Sequence, residues 1–268
     1  MRILILGDIC GPAGMNIIKS KLKKITKEKK IDFTIVNGEN AAENGKGLTK
    51  NNFKELIESG VNVITSGNHI WDQKEILEII DKEKQVIRPA NFFEGQPGNG
   101  YGIFKVKNKK IAVINLIGNV FMKKSQDLFT FTEKMMKKIK LKKDVDFIII
   151  DIHGEITSEK MALGHFLDGK VTSVVGTHTH VPTSDTKILK NGTAYQTDLG
   201  MCGDYDSVIG MNKENSIKKF QKNPEAVSHF PAVGIASISG VIVDANDATG
   251  LATSIDQIIL GGNLKQKY

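Results

Sequence analysis

The stretch Gly176-Thr177-His178-Thr179-His180 holds two of only six histidines in 268 residues. It follows an apolar run, Val171 to Val175, that reads as a buried strand. Histidines at i and i+2 can reach one centre once a strand breaks into a loop, and neutral imidazole is the commonest side-chain metal ligand near neutral pH. Two polar histidines on a solvated loop would be the bland alternative, and the rest of the chain argues against it. Three earlier apolar runs each end in glycine plus a metal-capable side chain: Gly7-Asp8, Gly38-Glu39-Asn40 and Gly67-Asn68-His69. A further run ends in Asp151-Ile152-His153-Gly154. Five strand ends therefore offer Asp8, Glu39, Asn40, Asn68, His69, His153, His178 and His180. Carboxylates, amide oxygens and imidazoles suit iron, manganese or zinc better than calcium. The set is too rich for one tetrahedral zinc. It suggests two ions about 3.5 Å apart, bridged by a carboxylate.

The elements that must position these residues follow from periodicity. Strands are expected over 2–7, 32–37 and 61–65, with a basic amphipathic helix to about residue 29, a helix over 51–59 closed by Gly60, and another over 72–82. A βαβαβα order predicts a parallel sheet with right-handed crossovers, and such sheets gather ligands at the carboxyl ends of their strands. A hairpin is expected over 101–106 and 110–116 around Asn108, then a helix over 127–140, a strand over 146–150, and a helix over 157–167 with Thr157 or Ser158 near its N-cap. After 194–197 comes a Gly- and Asp-rich loop over 198–210, then a helix over 212–222 and paired strands over 233–244 and 252–259. No repeat or linker interrupts the chain. The expectation is one α/β domain over 1–268, with two packed sheets between helices.

Composition narrows the class. Hydrophobic content of 40% and charged content of 25% are those of a soluble globular protein. No apolar stretch approaches a membrane span, the N-terminal apolar run is too short for a signal peptide, and the chain reads as cytoplasmic with no membrane partner. Cys10 and Cys202 make no disulfide framework and read as reduced thiols. The net charge is +7, yet of 37 basic residues only Arg2 and Arg88 are arginine. Nucleic-acid readers favour arginine for bidentate contacts. The lysine runs over 19–30 and 134–143 carry helix-period apolar residues, so most lysines are expected to solvate helix faces. A weak attraction for anionic substrates remains.

These blocks resemble those of the calcineurin-like metallophosphoesterases, which run Asp-x-His, Gly-Asp-x-x-Asp, Gly-Asn-His, a later His, and Gly-His-x-His. Here they stand as Asp8-Ile9-Cys10, Gly38-Glu39-Asn40, Gly67-Asn68-His69, His153 and Gly176-Thr177-His178-Thr179-His180. Cys10 replaces a ligand histidine, Glu39 a bridging aspartate, and Thr177 is inserted before the last two histidines. The first two departures are typical of the YmdB-type branch of bacterial 2′,3′-cyclic-nucleotide phosphodiesterases. So are the segment from Asp151 to Lys160, Arg88-Pro89-Ala90-Asn91 and Gly192-Thr193-Ala194-Tyr195.

The resemblance implies a four-layer α/β/β/α sandwich and two metal ions, iron first, with manganese or zinc as substitutes. It implies one ion on Asp8, Glu39, Asn40 and His180, and the other on Glu39, Asn68, His153 and His178, with Asn40 replacing the ligand lost at Cys10. His69 would be the general acid, with Glu43 or Asp72 orienting it. The implied reaction is hydrolysis of 2′,3′-cyclic nucleotides of the cAMP type to nucleoside monophosphates by a metal-bridging hydroxide. Alternatives are an RNA nuclease or phosphomonoesterase of the same fold, or a regulatory protein with slow incidental hydrolysis. RNA as a partner rests on the lysine excess alone, and a homo-oligomer is left open. His165, His229 and Arg88 read as structural, and Trp71 as a core anchor.

Overall fold

A computed structural model describes all of residues 1–268. Strand β1 (Arg2–Cys10) is buried from Ile3 onward, as a near-continuous apolar run must be when both faces of its sheet are covered. Helix α1 (Gly11–Glu28) has Pro12 in its first turn, where the missing N–H is no loss. It buries Met15, Ile18, Leu22 and Ile25 at three- and four-residue spacing. Strands β2 (Phe33–Asn40) and β3 (Val63–Thr65) run parallel to β1. Helix α2 (Lys50–Glu58) connects them and starts in a reciprocal capping box between Thr49 and Asn52.

The expected helix over 72–82 is reduced to a single 3-10 turn, Lys74–Glu78. Asp72 is the natural cap for such a helix. Its Oδ2 instead takes the Nδ1 of His69 at 2.7 Å, and Gln73, which stands at the cap, makes no side-chain bond there.

The second sheet starts with the hairpin of β4 (Tyr101–Val106) and β5 (Lys109–Ile117), where Lys107 and Asn108 both take positive φ, as a two-residue hairpin turn requires. Helix α3 (Leu128–Lys138) is capped by the Asp127 side chain. Next come β6 (Phe147–His153), α4 (Thr157–Leu167), β7 (Ser173–Thr177), the short β8 (Lys187–Ile188) and β9 (Ala194–Gln196). The cap of α4 is Ile156, with no side-chain bond, rather than Thr157 or Ser158. Strand β10 (Met201–Asp204) lies inside the expected loop over 198–210. Gly200 and Gly203 hide its periodicity, and pairing on both sides makes the strand. It runs parallel to β1, with Asp8 opposite Met201, and antiparallel to β11 (Ala236–Ala245). Helix α5 (Lys213–Phe220) precedes β11, and β12 (Ala252–Gly261) closes the chain.

The sheet orders are β12-β11-β10-β1-β2-β3 and β4-β5-β6-β7-β9-β8. Between the sheets lies an apolar layer including Ile3, Ile5, Phe33, Ile35, Ile111, Val113, Phe147 and Ile149. A second cluster joins the first sheet to α1 and α2, and a third joins the second sheet to α3 and α4. This is the four-layer sandwich expected from the resemblance. Truncating one such core residue to alanine costs about 2–5 kcal/mol, so the strands form a stiff frame and their ends are fixed platforms.

Candidate metal centre

The carboxyl ends of β1, β2, β6 and β7, with the turn after β3, converge on one buried cluster. Glu39, His153 and His178 bring ligand atoms within 4.8 Å of one another. The Nε2 of His153 lies 3.0 Å from Glu39 Oε1, 3.2 Å from Asn68 Oδ1 and 3.0 Å from His178 Nδ1. Beside this group, the amide of Asn40 sits 3.3 Å from Glu39 Oε1 and 3.0 Å from His180 Nε2. Asp8 accepts the His178 N–H on Oδ2 at 3.0 Å, while its Oδ1 is buried with no hydrogen-bond partner. Glu39 thus touches both His153 and Asn40, while Asp8 lies against the same cluster through the His178 N–H and 3.7 Å from His153 Nδ1.

Each of the three histidines is held from behind. The Nδ1 of His180 donates to the Ile209 carbonyl at 2.7 Å, so its Nε2 carries the inward lone pair. The Nε2 of His178 lies 3.2 Å from Glu155 Oε2, which leaves Nδ1 facing inward. The Nδ1 of His153 meets Thr177 Oγ1 at 3.0 Å. That hydroxyl gives its single proton to Asp151 Oδ1 at 2.8 Å, so it accepts from the ring and leaves Nε2 as the inward nitrogen. Partners of this kind fix the tautomer of ligating histidines. Two inward nitrogens 3.0 Å apart, beside a carboxylate and an orphaned buried oxygen, repel unless a cation or proton lies between them. The donor set fits divalent metal on that ground. Thr177, the inserted residue, serves as the contact behind His153.

The electrostatics of the metal-free cluster agree. Burial pushes Asp8 up to about 6 despite the opposing histidines. Burial also opposes ionisation of Glu39, but contact with His153 holds it down to about 2. Burial disfavours charge on His153 as well, yet Glu39, Asp8 and Asp151 hold its proton up to about 9. Burial and the neighbouring His153 keep His178 neutral, down to about 3. Gly67 is required by the same crowding: a Cβ there would lie 2.1 Å from Glu39 Oε2 and 2.3 Å from His153 Nε2.

His69 lies at the rim, its side chain 30% exposed and its Nδ1 paired with Asp72; its backbone N–H donates to Glu39 Oε2 at 3.2 Å. Glu43 is exposed on the surface. Cys10 is a buried thiol pushed up to about 12 by burial and then by Asp8 and Glu39; its Sγ points to the Gly210 carbonyl, and Cys202 is equally buried and free. Arg88 is structural, its guanidinium donating to the carbonyls of Pro97, Pro89 and Gln96. Trp71 packs half-buried against the outer core, and His165 is exposed on α4.

A cleft of about 390 Å³ opens over the cluster, and His69, Lys46, Glu155, Ile209, Phe220 and His229 are among its lining residues. His229 was expected to be structural but is an exposed part of this rim. Lys46 and Phe220 have no metal-type signal of their own, and Glu155, though in the segment from Asp151 that carries the resemblance, has no spacing that places it at the rim. No helix is long and apolar enough to cross a membrane.

The chain has relatives among known proteins. The family model described as YmdB-like protein matches residues 4–258. A 2′,3′-cyclic-nucleotide 2′-phosphodiesterase of Bacillus subtilis (strain 168) is 46% identical over 260 residues, covering 97% of each chain. A crystal structure of a hypothetical protein from Thermus thermophilus superposes with a TM-score of 0.91 at 35% identity, covering 98% of this chain and all of that one. A structure described as a novel phosphatase from Mycoplasma pneumoniae superposes at 0.90 with 36% identity, covering 97% of this chain and 93% of that one.

Proposed function

Because the chain belongs to the YmdB-like protein family, we propose that it is a dinuclear metal phosphodiesterase that opens 2′,3′-cyclic nucleotides of the cAMP type to nucleoside monophosphates. The observation that carries this reading is the convergence of one ring nitrogen from each of His153, His178 and His180 on the acidic cluster, with the opposite nitrogen engaged by Thr177, Glu155 and the Ile209 carbonyl. Asp8, Glu39, Asn40 and His180 would hold one ion, and Glu39, Asn68, His153 and His178 the other. The Asn40 amide faces both Glu39 and His180, and with its oxygen and nitrogen exchanged it would offer Oδ1 to an ion there. Iron is the first choice of metal, with manganese or zinc as substitutes.

When bound, such ions supply Lewis acidity toward phosphoryl oxygens and a nucleophilic water near neutral pH. The protein's own groups do the rest. Asp72 fixes the His69 ring through Nδ1, leaving Nε2 for the cleft that His69 lines. Water adds to phosphorus and releases a proton to solvent, the bond to the ribose oxygen breaks, and His69 delivers the proton that this oxygen needs as it leaves and regains one from solvent. The name of the Bacillus relative points to the 2′ oxygen as the leaving group, which makes the product a 3′-monophosphate. Val208, Ile209, Met211 and Phe220 give the cleft an apolar wall suited to a base.

The test is a substrate panel with the metal-loaded protein: 2′,3′-cyclic AMP, nitrophenyl phosphate and single-stranded RNA, with products resolved by chromatography. The expected result is fastest turnover of the cyclic nucleotide with 3′-AMP as product. Faster cleavage of the monoester or of RNA would replace this reading, and turnover no better than free metal would favour a regulatory role.

A further inference from the structure

Helix α4 carries Lys160, the one lysine among the buried residues, at 1% exposure. This lysine closes the segment from Asp151 that carries the resemblance, and nothing in its spacing shows that it is buried. The Nζ of Lys160 donates to Asp198 Oδ2 at 2.7 Å and to the Thr177 carbonyl at 3.1 Å. Asp198, equally buried, accepts the Thr179 N–H on Oδ2 at 3.2 Å and the Gly200 N–H on Oδ1 at 2.9 Å. The pair therefore grips the peptide groups on both sides of His178: the carbonyl before it and the N–H after it. The backbone of Asp198 extends the grip beyond His180. Its N–H donates to Thr183 Oγ1 at 2.9 Å, and its carbonyl accepts the Thr183 N–H at 3.0 Å.

What is gripped is an uncommon backbone. His178 has φ of 103° and His180 of 65°, where residues with a Cβ are seldom found. Such conformations persist only when their surroundings over-determine them. Gly176 belongs to the same device. A Cβ there would lie 2.6 Å from Lys160 Cδ and 1.8 Å from the Thr197 carbonyl oxygen, so the lysine stem passes where only glycine leaves room. Buried ion pairs are a poor source of stability, since desolvation cancels much of the attraction. The worth of this one lies in what it holds.

We propose that Lys160 and Asp198 are positioning residues that keep His178 and His180 in metal-ligating geometry, and so set metal affinity without touching metal. This rests on the reading that those histidines are ligands. Lys160→Met alone strands a buried carboxylate and invites misfolding. The working variant is Lys160→Met with Asp198→Asn, which removes both charges and keeps the shape of the acceptor. Asp198→Asn alone is the milder companion.

Metal-stripped proteins are titrated with Mn²⁺ by calorimetry, the visible spectrum is recorded with Co²⁺, and unfolding of the metal-free forms is followed by circular dichroism. The double variant is expected to melt cooperatively, to bind Mn²⁺ about 10–100-fold more weakly, and to show a shifted Co²⁺ spectrum. Asp198→Asn should move both in the same direction by less. Wild-type Mn²⁺ affinity and an unchanged Co²⁺ spectrum in either cooperatively folded variant would overturn the proposal. If the wild type itself takes up no Mn²⁺ or Co²⁺, the assignment of the histidines as ligands fails instead.

Discussion

The two sheets contribute unlike halves to the floor of the cleft. The first supplies oxygen: Asp8 from β1, Glu39 and Asn40 from β2, and Asn68 just after β3. The second supplies nitrogen: His153 from β6, and His178 and His180 just beyond β7. None of the oxygen residues takes positive φ, whereas His178 and His180 both do. A carboxylate has two equivalent oxygens and needs only to be pointed at the site. An imidazole has two distinct nitrogens, and the protein must determine which one is free of its proton. The nitrogen half is accordingly backed by Thr177 and Asp151, by Glu155, by a carbonyl and by a buried ion pair. A ligand half built on regular strand ends needs little support, and one built on imidazoles in a turning loop needs a scaffold.

Cutting the link between the halves should have the largest effect. Glu39→Gln removes the group common to both proposed ion sites. It is expected to empty at least one of them and to lower turnover by on the order of 10³-fold or more, the several kcal/mol that a metal contributes to charge stabilisation. Elemental analysis beside the rate measurement checks it, and full metal with normal turnover in this variant would dissolve the comparison.

His69→Ala leaves both halves intact and removes only the rim. A ribose oxygen leaves poorly without a proton, so hydrolysis of 2′,3′-cyclic AMP should fall by about 10²–10⁴-fold. An aryl phosphodiester, with its better leaving group, should lose less. Metal content should stay near normal, since the proposed ligand is the neighbouring Asn68. Equal losses of kcat/KM on the two substrates would assign His69 to positioning.

The nitrogen half should also govern pH dependence. The proton that Glu39, Asp8 and Asp151 hold on His153 up to about 9 must leave when metal binds. Apparent metal affinity should therefore rise by about tenfold per unit below pH 9 and level off above it. For folding of the metal-free protein the sign reverses. The His153 contribution is complete below its ordinary value of 6.5 and disappears as pH rises through about 9. Competition titrations and denaturant melts across pH 6–10 measure the two effects, and an affinity that does not change with pH would remove His153 from the ligand set.

Cys10→Ser is the smallest change. The thiol points to the Gly210 carbonyl and is held protonated by burial. The variant should keep its metal and most of its rate, and loss of one equivalent of metal would place sulfur among the ligands.

The oxygen half and the histidines stood out in the sequence because each follows an apolar run that is a strand. The residues that support them did not. Lys160 belongs to a segment that carries the resemblance, but its burial depends on Gly176 and Asp198, which lie elsewhere in the chain. Glu155, Lys46, Phe220 and His229 reach the cleft through loop paths that no periodicity encodes. Strand β10 exists only because β1 and β11 offer it partners. The shortened helix after Asp72 has a local cause: the carboxylate turns back to His69, three residues earlier, instead of capping a helix.

The central claim is that the two halves together hold two ions and that activity requires both. Its most direct test is a titration of metal-stripped protein with Fe²⁺ under anaerobic conditions, or with Mn²⁺, following bound metal and 2′,3′-cyclic AMP turnover in the same samples. The account predicts that activity rises until two equivalents per chain are bound and then stays level. Full activity at one equivalent, with no second ion taken up, would contradict it.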